Sequence, residues 1–159
     1  MVRCFEDENV IHVDGSIDPL RDADLINLEL ALADLSMVEK RMTRIEKDAR
    51  SGKADETELS ALQKVAIVLN NNEPARNAEL TDDELLSLKT YGLLTLKKMI
   101  YAANVADSDL AEGNDMVEQL KGLAETEGAK VVIVSVRFFC KNQIFSFFVS
   151  FSLASSYTY

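Results

Sequence analysis

Apolar positions recur at steps of three and four from Leu25 through Leu28, Leu32, Leu35, Val38, Met42 and Ile45 to Ala49, with charges between them. That period is the stripe of a long amphipathic helix. Asp18 stands at its cap position and Pro19 at its first helical position, where the missing N–H costs nothing. The successive three-residue steps through Leu32, Leu35 and Val38 predict a stammer, a local overwinding of a coiled-coil seam. Ser51-Gly52-Lys53 breaks the pattern, and Leu59, Leu62, Ala66 and Leu69 resume it as a shorter stripe. Two such stripes joined by a short loop predict an antiparallel helical hairpin.

Asn70-Asn71-Asn72-Glu73-Pro74 ends that hairpin, because Asn and Pro favour turns over helix interiors. Thr81-Asp82-Asp83-Glu84 has the spacing of a capping box, with a helix behind it to about Tyr91 and Gly92 suited to close it. Outside this helical stretch the apolar runs are short. Val2 to Phe5 and Val10 to Val13 read as strands on either side of a charged turn, and Asp14-Gly15-Ser16 as a further turn. Lys98 to Ala103 and Val131 to Val134 read as buried strands, with Asn114 capping a helix between them that Gly128 closes. Strand, capped helix, strand is the grammar of a parallel α/β unit, whose ligands sit at the carboxyl ends of the strands. Those ends carry Asn104 to Asp107 and Ser135.

With 159 residues the chain has the length of one ordinary domain, and its formal net charge of −10 argues against a binder of phosphate backbones. Cys4 and Cys140 match neither a disulfide framework nor a metal knuckle, so a reducing compartment is the simpler reading. The first residues lack a basic segment followed by an apolar one, so no secretory signal is visible. His12, alone on a short apolar run, reads as structural, and Cys4 as a buried small hydrophobe. No catalytic or metal-ligating set is assigned. Lys40, Arg41, Arg44, Lys47 and Arg50 gather five basic groups near the hairpin tip, where a ribosome or RNA contact stands beside the plainer reading of a solvated face.

VRCFED at Val2 to Asp7, DPLRD at Asp18 to Asp22, INLEL at Ile26 to Leu30, ADLSMVEKR at Ala33 to Arg41 and EPAR at Glu73 to Arg76 resemble segments of the YchF family of Obg-like P-loop nucleotidases. LLTLK at Leu93 to Lys97 and YAANVADSDL at Tyr101 to Leu110 continue the resemblance, which covers about residues 1 to 135 with the motifs in family order. It implies an α/β fold: an incomplete P-loop G-domain sheet over 1–21 and 93–135, a helical coiled-coil insertion with its return linker over 22–92, and an unrelated tail over 136–159. It also implies binding and hydrolysis of ATP or GTP with Mg²⁺ in the full-length family, association with ribosomes, and a cytoplasmic setting, with the plastid stroma as the alternative.

The same resemblance implies that Asn104, Val105, Asp107 and Ser135 face the purine base. Guanine readers carry NKxD here, whose carboxylate accepts two hydrogen bonds from guanine, while the family's NxxE accompanies use of ATP. Asp107 restores the shorter acid, and Val105 replaces the stacking Lys. No GxxxxGK[ST] and no DxxG occurs in the sequence. The family places both ahead of VRCFED, so the expectation is an internal piece that by itself neither grips nucleotide tightly nor hydrolyses it. The tail from Val136 holds six of the seven Phe residues and no Asp or Glu, and reads as translation into a retained intron, with a membrane anchor as the weaker alternative. A different class of reading makes the helical hairpin a nucleotide-independent interaction module for a ribosome or protein partner.

Overall fold

The computed structural model describes residues 1–6, 17–49 and 55–137. The stretch Val10 to Val13 with His12, the turn at Asp14 to Ser16, Arg50 with the breaker Ser51 to Lys53, and the tail beyond Arg137 with Cys140 lie outside the described residues. In chain order the main elements are β1 (Val2–Arg3), α1 (Pro19–Ala49), α2 (Glu56–Asn70), α3 (Asp82–Leu88), β2 (Ile100–Asn104), α4 (Asp115–Thr126) and β3 (Lys130–Val134). Short 3-10 turns occupy Ala75–Asn77, Lys89–Tyr91 and Asp107–Asp109. The chain divides into two compact units, Met1–Asp22 with Ile100–Tyr159, and Ala23–Met99.

In the first unit three parallel strands lie in the order β1–β2–β3. Val2 pairs with Ala103, and Ile100 to Asn104 pair in register with Lys130 to Val134. Successive side chains point to opposite faces. Val2, Tyr101 and Ala103 therefore share the buried face, against which α4 packs through Val117, Leu120 and Ala124. On the other face Ile100 is 61% exposed, and Val132 is exposed as well. The expectation of buried strands is thus corrected to a half-buried alternation, with α4 packed on one side of the ladder. Helix α4 starts where Asn114 Oδ1 accepts the Val117 N–H, and Gly128 closes it at φ 64°, a conformation that costs a side-chain-bearing residue more than glycine. Just before that glycine, Glu127 accepts the Tyr101 hydroxyl at 2.7 Å and clips the helix end to β2.

Helix α1 begins as its sequence predicts, with Asp18 Oδ1 accepting from the Leu20 and Arg21 N–H groups and Pro19 in the first turn. Its buried face departs from the predicted stripe in the first half of the helix. Ala31, Asp34, Val38 and Ile45 are buried, with Leu35 and Met42 partly so, whereas Leu25 and Leu32 are 50% and 52% exposed and Leu28 is exposed too. At 3.6 residues per turn these leucines lie roughly 120–180° around the helix from Asp34. The seam then runs through 31, 34, 38, 42 and 45 at steps of three, four, four and three, without the successive three-residue steps that predicted a stammer. The reason is Asp34, 1% exposed, whose carboxylate accepts from the Leu94 N–H (2.9 Å), the Thr95 N–H (2.7 Å) and the Thr95 hydroxyl (2.7 Å). Three charge-assisted bonds offset the desolvation of the carboxylate and turn its face inward. Thr95 Oγ1 in turn accepts the Ala75 N–H, so the segment after α3 is fastened within the helical unit.

Around that seam, Ala61, Leu62, Val65 and Leu69 of α2 join Ala75, Leu88 and Leu93 in one core. Helix α2 is capped by Asp55, and its end at Asn70 is followed by Asn72 at φ 60°. Helix α3 carries the predicted capping box: Thr81 Oγ1 accepts the Glu84 N–H while Glu84 Oε2 accepts the Thr81 N–H. Gly92, at φ 64°, ends the 3-10 turn that extends this helix. Glu84 has a second task, since it is buried and also accepts from Ser60 Oγ (2.7 Å) and Lys64 Nζ (2.8 Å), joining α3 to α2.

Candidate functional site

Strand β2 delivers Asn104 to the carboxyl edge of the sheet, and the backbone there is tied on both sides. Asn104 O accepts the Cys4 N–H, and the Val105 N–H donates to Val134 O at 2.9 Å. Asn104 Oδ1 accepts the Val136 N–H at 3.1 Å, which braces the loop after β3. Past Ala106 the chain enters the turn Asp107–Asp109, and Ser135, fully buried just after β3, donates its hydroxyl to Asp107 Oδ1 at 2.5 Å. The parallel pairing of β2 and β3 thus brings together all four residues singled out in the sequence. Their roles differ. Val105 is 2% exposed and serves mainly as packing under the loop, and Ser135 acts through Asp107.

A cleft of about 520 Å³ opens above this edge, lined by Phe5 and Glu6 after β1, by Asn104 to Ser108, and by Val136 and Arg137. Its size lies in the range of pockets that hold one small organic ligand. Phe5, Glu6 and Arg137 are not legible as site residues from their own surroundings in the sequence. Phe5 is fixed from below: the Arg3 guanidinium stacks 4.7 Å from its ring centroid and Arg3 Nε donates to the Phe5 carbonyl. A second hollow of about 330 Å³ adjoins, lined by Phe5, Glu6, Ala106, Asp109 and residues 114–116. Asn114 Nδ2 donates to Asp109 Oδ2 and Ser108 Oγ to Asp109 Oδ1, and these bonds, that from Asn114 foremost, hold the Asp109 carboxyl below its ordinary pKa. Cys4, beneath the cleft, is buried and its thiol is pushed up to about 11, chiefly by burial and then by the Asp22 carboxylate, which leaves it inert as a nucleophile at neutral pH.

Chemically, the cleft offers an aromatic ring and a fixed carboxylate, which suit a flat heteroaromatic ring with N–H donors. Among the described residues no group of three or more His, Cys, Asp or Glu is placed to hold a metal ion.

In the helical unit, Arg41 is committed: its guanidinium donates twice to Glu58 (2.9 and 3.2 Å) and lies over the Tyr91 ring. Of the basic group expected at the hairpin tip, Lys40, Arg44 and Lys47 are exposed.

A parallel sheet with its cleft at the carboxyl ends of the strands places the chain among α/β proteins that take ligands at that edge. No family model matches it. It is 47% identical over 135 residues to the ribosome-binding ATPase YchF of Haemophilus ducreyi, an alignment covering 84% of this chain and 37% of that protein. Against the ribosome-binding ATPase YchF of Bacillus subtilis the identity is 39% over 140 residues, covering 86% of the chain and 38% of the relative. The solved structure of the Schizosaccharomyces pombe YchF GTPase superposes with a TM-score of 0.69 at 29% identity, covering 86% of this chain and 39% of that one. The chain belongs to the YchF/Obg-like ATPase family. It spans somewhat over a third of the length of these relatives.

Proposed function

We propose that this chain carries the purine-reading wall of an ATP- or GTP-hydrolysing protein, with Phe5 stacking on the base, Asp107 accepting from its edge, Asn104 bracing the loop, Val105 supporting it and Ser135 aiming Asp107. The observation that carries this reading is the Asp107–Ser135 hydrogen bond at the rim of the cleft, which holds a carboxylate ready for a planar donor pair. With Lys absent at 105, discrimination between guanine and adenine rests on Asp107 alone. Hydrolysis needs a phosphate-gripping loop and Mg²⁺, and the sequence contains no GxxxxGK[ST], so turnover requires that element from elsewhere in a longer protein. Helices α1 and α2 form the inserted coiled-coil hairpin of this reading, and the exposed Lys40, Arg44 and Lys47 suit contact with ribosomal RNA.

The test is titration of the isotope-labelled 159-residue chain with adenosine and with guanosine, followed by amide resonances. Base contacts without phosphate contacts predict dissociation constants of roughly 0.1–1 mM, with shifts confined to Phe5 and residues 104–108. Shifts centred elsewhere, or none with either nucleoside, overturn the assignment.

A further inference from the structure

Capping α4 uses only one atom of Asn114. Its Oδ1 accepts the Val117 N–H at 3.2 Å, a task that Asp or Ser performs equally well. Its Nδ2 does something those residues lack the hydrogens for, donating to the Cys4 carbonyl at 2.8 Å and to Asp109 Oδ2 at 2.8 Å. The amide orientation is fixed by chemistry, because Val117 presents a donor and the other two partners present acceptors. Cys4 precedes Phe5 and Glu6, one wall of the cleft, and Asp109 closes the turn that forms the other wall, with its N–H on the Ala106 carbonyl and its own carbonyl accepting from Gly113. A single side chain, 110 residues from Cys4 in sequence, thus links the two walls.

We propose that Asn114 is a positioning residue for the base cleft, setting the distance between Phe5 and the Ala106–Ser108 turn through its two Nδ2 hydrogen bonds. The proposal rests on the base-reading function above. It explains why the cap is an Asn, since the cap alone leaves Asp and Ser as good choices. The lowered pKa of Asp109 accords with the tie, which stabilises the charged carboxylate.

Asn114→Asp separates the two tasks. The cap acceptor is retained, both donations are lost, and a second carboxylate faces Asp109. Helix content by circular dichroism should stay that of the parent chain, while amide exchange at Phe5 and at residues 106–108 rises roughly tenfold and nucleoside affinity falls by about the same factor, the loss of one to two hydrogen bonds. Asp109 should titrate at higher pH in the variant. The double variant Asn114→Asp with Asp109→Asn restores one link with its donor reversed and should recover much of the protection. Asn114→Ser serves as the second cap-preserving variant should the first fold poorly. Parent-like exchange at both walls in Asn114→Asp and Asn114→Ser overturns the tie whatever the ligand does. Raised exchange together with no nucleoside binding by the parent chain supports the tie while overturning the ligand assigned to it.

Discussion

Asp107 reaches its position through a partner 28 residues away, the Ser135 hydroxyl, so its carboxylate is oriented before any ligand arrives. Preorganisation of this kind reduces the rotamer entropy lost on binding. Replacing Asp107 with Ala should weaken guanosine binding by tenfold or more, the effect of removing a charged acceptor of about 1.5–3 kcal/mol. Ser135→Ala should weaken it by about fivefold, as expected for one neutral donor, and both changes can be followed in the same nucleoside titration. Glu84 carries a different consequence. Its hydrogen bond from Lys64, then those from Thr81 and Ser60, lower its pKa from 4.5 to about 2. A carboxyl whose folded pKa lies below its unfolded value stabilises the fold above that unfolded value and loses the contribution as protons bind. The urea midpoint of the parent chain should therefore drop as pH falls from about 4.5 toward 2, and Glu84→Gln should show a lower midpoint at neutral pH with a flatter acid limb.

Among the elements, boundaries set by local chemistry were readable in advance. Asp18 with Pro19, Thr81 with Glu84, and Asn114 with Gly128 all involve partners within a few residues or a single helix, and the structure has each of these starts and stops where the spacing put it. The buried face of α1 was readable only in its second half, where Val38 and Ile45 are buried and Leu35 and Met42 partly so. Periodicity favours the larger side chains, yet the helix buries Ala31 and Asp34 and exposes Leu25, Leu28 and Leu32, because the groups that satisfy Asp34 sit at Leu94 and Thr95, 60 and 61 residues further on. The site divides in the same way. Asn104 to Asp107 stand in one contiguous motif, whereas Phe5 and Arg137 join them only through the parallel register of three strands. Removing the Asp34 anchor tests its weight: Asp34→Ala leaves buried N–H groups without an acceptor and should cost about 3 kcal/mol or more, measured as the shift in the urea unfolding midpoint, with Asp34→Asn milder.

The molecule as a whole divides into a sheet unit that carries the cleft and a helical unit with exposed cations. Phosphate release from ATP or GTP by the 159-residue chain should match the protein-free blank, and sustained turnover would contradict the reading. Charge reversal at Lys40, Arg44 and Lys47 together should reduce co-sedimentation with ribosomes and flatten its dependence on salt, since each released counterion contributes to that slope. No helix among the described residues is long and apolar enough to cross a membrane.

The bond between Asp34 and Leu94 spans 60 residues, and a ribosome adds about 5–20 residues per second. For roughly 3–12 s of its own synthesis, then, α1 exists as a nascent segment whose inward acid has no amide donor to meet it, even once α2 has been made to cover its apolar seam. The chain's most exposed moment falls before its return segment has been made, and whatever shelters the emerging polypeptide must cover that interval.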